Sequence, residues 1–134
     1  MQARYPSIKT TKNTQELFDD PAIDAIIIAT PVSTHFKLAI QALDAGKHVF
    51  VEKPLTTTSA EGEELVEKAK QQGRTLMVDH TFLYTGAVQK IKEQIDSGEM
   101  GDIYYYDSVR VNLGLFQHDV NVIWDLAVHD LAIM

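Results

Sequence analysis

The chain has 134 residues, 45% of them apolar and 23% charged, so it can build one modest core and carries ordinary globular chemistry. Its net charge of −7 sets it against nucleic acid, which calls for a basic stripe, and the absence of cysteine removes disulfides and thiolate metal sites. No apolar run approaches the roughly 18 residues of a membrane span, and the N-terminus lacks the apolar segment of a signal peptide. The expectation is a soluble, cytoplasmic protein.

Met1 to Thr11 is polar and offers at most a short strand. Thr14-Gln15-Glu16-Leu17-Phe18 suggests one helical turn, closed by Asp19-Asp20-Pro21. Ile23 to Ala29 is a continuous β-branched run of buried-strand length, stopped at Pro31. Ser33 or Thr34 can cap the helix that follows. Phe36, Ala39, Ile40 and Leu43 make its apolar face, and Gly46 stands where a terminating glycine belongs.

A second strand follows at once, His48-Val49-Phe50-Val51-Glu52, and it runs into Lys53-Pro54. Thr58-Ser59-Ala60-Glu61 fits a capping box for a second helix, with Leu65, Val66 and Ala69 inward and Gly73 as its end. Thr75 to Val78 is a third strand. Val88, Ile91 and Ile95 form the face of a third helix that stops at Gly98.

Strand and helix thus alternate with short connections, which predicts an α/β chain: a partial, Rossmann-like, doubly wound parallel sheet with helices on both faces. After Gly101 the rhythm changes. Ile103 to Val111 reads as a long strand mixing aromatic and charged positions, suited to an antiparallel sheet with one open face. Asn112 to Asn121 reads as a polar loop, and Trp124 to Met134 as the start of a helix. A boundary near residues 99–102 separates 1–100 from 101–134.

In open α/β sheets, ligands bind just past the carboxyl ends of the strands. Lys53 follows the second strand there, so it is a chemical candidate; the plainer reading is a surface lysine paired with Glu52. Asp125 and His129 stand at i and i+4, one face of a helix, where a carboxylate can orient an imidazole. The plainer reading is a capping aspartate and a satisfied histidine. His118, Asp119, Asp125 and His129 offer nitrogen and oxygen donors, but they match no short, standard metal spacing, so no metal is assigned.

These residues resemble the Gfo/Idh/MocA oxidoreductases, which act on sugars and cyclitols with NAD or NADP. The resemblance rests on Asp24 to Pro31 with His35, on Ala45 to Val49 running into Glu52-Lys53-Pro54, on Asp96 to Ile103, and on Trp124 to Asp130. The last of these, with Asn112-Leu113-Gly114 ahead of it, looks most like members that handle nucleotide-linked sugars. The resemblance implies a hydride exchange between a nicotinamide cofactor and a secondary alcohol. Lys53 would polarise the reacting oxygen, and His129, helped by Asp125, would move its proton.

The same resemblance places Thr30, Pro31, His35, Glu52, Lys53 and Pro54 along the cofactor groove. Phe82 and Tyr84 would wall the nicotinamide pocket. Lys53, Asp125 and His129 would face the substrate, with Arg110 and Asn112 meeting its polar or anionic groups, and Asp130 reads as structural or as orienting a neighbour. Turn, cap, ion pair and solvated arginine are the plainer alternatives.

One departure matters. None of the seven glycines forms the Gly-x-Gly-x-x-Gly turn whose amides hold a dinucleotide pyrophosphate, and no acidic ribose-binding segment follows one. The chain is therefore expected to be a middle section of a longer enzyme that binds NAD or NADP weakly by itself. Strand 25–29 would then lack its usual neighbour, and an exposed apolar edge favours self-association. The alternative function is accordingly a catalytically inactive, self-associating fragment.

Overall fold

The computed structural model describes residues 4–111, 118 and 120–134. Three apolar runs form its sheet: β1 (Ala25–Ile28), β2 (His48–Glu52) and β3 (Leu76–Asp79), all parallel, in the order β1-β2-β3. The helices are α1 (Thr14–Asp19), α2 (His35–Asp44), α3 (Ser59–Gln72), α4 (Gly86–Asp96) and α5 (Val128–Ile133). Short 3-10 turns precede α2 and α4, and a π-helical turn, Ile123–Ala127, leads into α5.

Register decides which side chains meet. Ile26 pairs with Val49 and Val49 with Leu76; Ile28 pairs with Val51 and Val51 with Val78. Side chains alternate across a strand, so these six share one face. Against them pack Ala39, Ala42 and Leu43 of α2 and Leu65 and Ala69 of α3, and Phe18 of α1 closes the same cluster. The intervening row, Ile27, Phe50 and Met77, lies on the opposite face, where Ile27 is 73% exposed.

The parallel α/β sheet is as expected, but α2 and α3 cover a single face of it among the described residues. The face of α4 is also open, with Ile91 and Ile95 both exposed.

The local signals act through recognisable chemistry. Gly46 has φ +72° one residue past the C-cap of α2, and Gly73 has φ +60° at the C-cap of α3. Thr58 caps α3 by accepting from the Glu61 amide, while the Glu61 carboxylate reaches back to the amide and hydroxyl of Thr57 rather than to Thr58. The Thr57 hydroxyl is the main reason that this carboxylate sits below its usual range.

Three expectations change. Val66 is exposed, because it follows Leu65 by one residue and a helix turns about 100° in that step. Arg4 to Thr11 contains a turn, Ile8 N to Tyr5 O, and no strand. Ile103 to Val111 is not a strand either. Strands exist through ladder bonds to a neighbour, and the described residues offer this segment none, leaving Tyr104 and Tyr105 in solvent.

Candidate functional site

Where β1 and β2 end, a cleft of about 390 Å³ opens. Its wall carries Thr30, Pro31, Val32 and His35 from the β1 side, Glu52, Lys53 and Pro54 from the β2 side, and Asp125 and Val120 from the C-terminal part of the chain. All six residues expected along a cofactor groove therefore meet at one place. Parallel strands with α-helical crossovers bring successive strand ends to the same edge, so residues far apart in sequence converge there.

Lys53 is held from across the cleft. Its Nζ lies 2.7 Å from Asp125 Oδ1 and 2.8 Å from the Asp125 carbonyl oxygen. The pair is only about one-fifth exposed, which makes it stronger than a surface ion pair. Glu52 does not take this lysine; its carboxylate accepts from the Lys53 backbone amide at 3.2 Å. The residue beside Asp125 fastens the same loop, since Trp124 Nε1 donates to the Thr56 carbonyl at 2.9 Å. Neighbouring side chains of the π-helical turn thus grip both sides of Pro54. Nothing local in the sequence marks Trp124 for this role, because an indole N–H finds its acceptor only in the folded chain.

His35 is 1% exposed, with Nδ1 at 2.9 Å from Pro54 O and Nε2 at 2.8 Å from Thr30 O. It shapes the wall and has no nitrogen to spare for a ligand. The Thr30 hydroxyl meets that of Thr34 at 2.6 Å.

His129 is 8% exposed and touches Phe82 edge-on, with ring centroids 4.7 Å apart. Asp125 does not bond it: the carboxylate is spent on Lys53, and Asp125 lies in a π-helical turn, where the bonding step is i to i+5 rather than i to i+4. The His129 Nδ1 is buried without a partner among the described residues, as is Nδ1 of His80, which no motif in the sequence marks. Burial, then the nearby positive charges of Lys53, Arg110 and His80, push the His129 pKa down; Asp130 opposes them. A neutral imidazole at neutral pH is the consequence.

This has a measurable signature. In the unfolded chain the ring takes a proton near its ordinary value, whereas folded His129 takes one only at lower pH. The stability gained by burying the neutral ring is present above the ordinary imidazole range and is lost as pH falls through that range toward the folded value. His129→Leu is expected to flatten the decline in melting temperature between about pH 7.5 and about pH 5. An unchanged slope would contradict this.

Asp130 grips Arg110 with two bonds, Nε–Oδ2 2.6 Å and Nη2–Oδ1 3.0 Å, and also accepts from Ser108 Oγ at 2.8 Å. The Arg110 bond is the main cause holding the Asp130 carboxyl below its usual range. Arg110 also stacks over Phe82 at 5.3 Å, so it is oriented rather than merely solvated. Tyr84 lines a different, apolar groove with α4 and the end of α5. Asn112 and Asp119 lie outside the described residues, and among those described no three His, Asp or Glu side chains gather as a metal site.

No helix is long and apolar enough to cross a membrane among the described residues. The family model described as "Oxidoreductase family, NAD-binding Rossmann fold" matches residues 2–80. The chain is 35% identical, over 93% of its length, to the scyllo-inositol 2-dehydrogenase (NAD(+)) of Bacillus subtilis, of which it covers 38%. An NAD-binding protein from Listeria innocua superposes with a TM-score of 0.79 at 29% identity, over 98% of this chain and 40% of that one. A levoglucosan dehydrogenase in complex with NADH and levoglucosan superposes at 0.70, with 34% identity, over 75% of this chain and 27% of that one. The chain spans about a third of the length of the curated relatives it matches.

Proposed function

Since the chain belongs to the Gfo/Idh/MocA oxidoreductases, an NAD-binding Rossmann-fold family, we propose that it carries the reaction side of an NAD(P)-dependent dehydrogenase. The substrate class is a secondary alcohol on a sugar, cyclitol or nucleotide-linked sugar. The observation that carries this reading is the Lys53 ammonium fixed by Asp125 inside the strand-end cleft.

The cleft suits a nicotinamide. It lies where dinucleotides sit in such sheets, and about 390 Å³ is at the lower end of small-molecule sites, enough for part of a dinucleotide. Bound nicotinamide supplies the hydride exchange. Thr30, Pro31, Glu52 and Pro54 form its wall together with Lys53, with His35 behind them.

On the substrate side, Lys53 donates to the reacting oxygen and stabilises the alkoxide as it develops. Asp125 keeps the ammonium at that point. His129, kept neutral by burial, accepts the hydroxyl proton. Arg110, oriented by Asp130, meets further polar groups of the substrate. Residues 1–100 make up the second half of the dinucleotide domain and 101–134 begin the substrate domain, in a cytoplasmic homo-oligomer.

A second reading is favoured by the exposed Ile27 on β1, a strand that pairs only with β2 among the described residues. By itself the chain then self-associates and is inactive. Saturation-transfer NMR with about 1 mM NADH, the range of a −4 kcal/mol interaction, tests the first reading. The nicotinamide protons are expected to receive more saturation than the adenine protons. No transfer to the nicotinamide would remove the proposed site, and low-micromolar binding would remove the weak-binding view. Sedimentation of the same sample is expected to show a dimer or larger species; a monomer would end the second reading.

A further inference from the structure

The two carbonyls that His35 bridges leave an unmatched proton count. Thr30 O and Pro54 O can only accept hydrogen bonds, and each lies within 2.9 Å of a different ring nitrogen. A neutral imidazole has one N–H and one bare nitrogen. In either tautomer one contact would set a nitrogen lone pair against an oxygen lone pair, on a side chain that is 1% exposed. A buried polar atom so placed is costly, and a ring carrying both protons removes the conflict with two charge-assisted bonds.

We infer that His35 is a doubly protonated strut, a positioning residue that ties the carbonyl of Pro54, next to Lys53, to the end of β1. The surroundings bear on the charge. His35 opens α2, where the helix dipole disfavours a cation, and its burial does too; two charge-assisted bonds, absent at His129, offset both. The cleft that His35 lines carries the carboxylates of Glu52 and Asp125 against the one ammonium of Lys53, so a further positive charge balances the wall.

The geometry also explains the residue type. Asparagine and glutamine donate from a single nitrogen, and lysine donates from a single point. A doubly protonated imidazole presents two N–H groups pointing apart on a short, rigid ring, able to span the ends of two adjacent strands. The longer guanidinium of arginine would not fit the same space. With the strut in place, the backbone on both sides of Lys53 is anchored: β2 before it and the Pro54 carbonyl after it. The value of this for catalysis rests on the role proposed above for Lys53; the proton count does not.

Ring ¹⁵N correlation spectra of the 134-residue chain in neutral buffer test the strut directly. His35 is expected to show two protonated nitrogens, each with a solvent-protected N–H. A bare nitrogen on that ring would overturn the inference, whatever NADH does. The His35→Gln variant supplies a second reading. Lys53 ammonium signals are expected to shift as the hold on Asp125 loosens, while those of Lys47, on the other side of the fold, stay in place. Unchanged Lys53 signals in a folded His35→Gln chain would remove the positioning role.

Discussion

Lys53→Met is expected to lower kcat/KM for alcohol oxidation by roughly 10³-fold, the scale of losing a donor aimed at a developing oxyanion. The loss should fall mainly on kcat, because the alkoxide forms only on the way to the transition state. The assay uses this chain with millimolar NAD or NADP and a panel of cyclitols and pyranoses. Lys53→Arg should recover only part of the activity, since a planar fork cannot replace a compact ammonium bonded to both the Oδ1 and the backbone carbonyl of Asp125. A kcat/KM for Lys53→Met within tenfold of the parent would take the reacting oxygen away from this residue. In thermal unfolding the same change should cost only about 1–2 kcal/mol, because the freed Asp125 carboxylate remains partly solvated.

The largest stability effect is expected at another lysine. Lys47 is 7% exposed, and its Nζ donates to the carbonyls of Asp20 and Ile23, at 2.7 and 2.8 Å. Those carbonyls belong to the loop that delivers the chain from α1 into β1. Lys47→Met keeps the stem and removes the donor, so both acceptors lose a charge-assisted bond. The expected cost is about 3 kcal/mol, which lowers the melting temperature of a chain this size by roughly 10 °C. Lys68 provides the contrast. It bonds Asp44 at 2.8 Å, but that aspartate is half exposed, and Lys68→Met should cost less than about 0.5 kcal/mol. Equal losses in the two variants would show that burial of the Lys47 head group contributes nothing.

These lysines mark the limit of what a sequence discloses. Both occur in motifs that resemble the family, yet Lys47 supports a loop and Lys53 faces a cleft. Residue type alone does not separate a lysine that donates inward from one that lines a cleft. The difference lies in which carbonyls or carboxylates the fold brings within 3 Å.

The order of strands and helices was legible because it depends on nearest-neighbour chemistry. β-branched runs, the Thr58 cap and the glycines at 46 and 73 act within a few residues of themselves. So did the meeting of Thr30, Pro31, His35, Glu52, Lys53 and Pro54, because parallel crossovers force strand ends together. What failed was anything that needed a distant partner. Ile103 to Val111 has strand composition but no ladder among the described residues, and in the row Ile27, Phe50 and Met77, of sheet-core composition, Ile27 and Met77 stay exposed.

By itself the sequence determined the α/β rhythm, the family and the place of Lys53 at a strand end. Tertiary structure alone decided the pairings. Asp125 turned to Lys53 instead of His129, since a π-helical turn and a lysine 72 residues away outweigh an i, i+4 spacing. Arg110 went to Asp130, and His35 was closed off between two carbonyls. Such choices depend on distance and desolvation, which become defined only when the whole chain is in place.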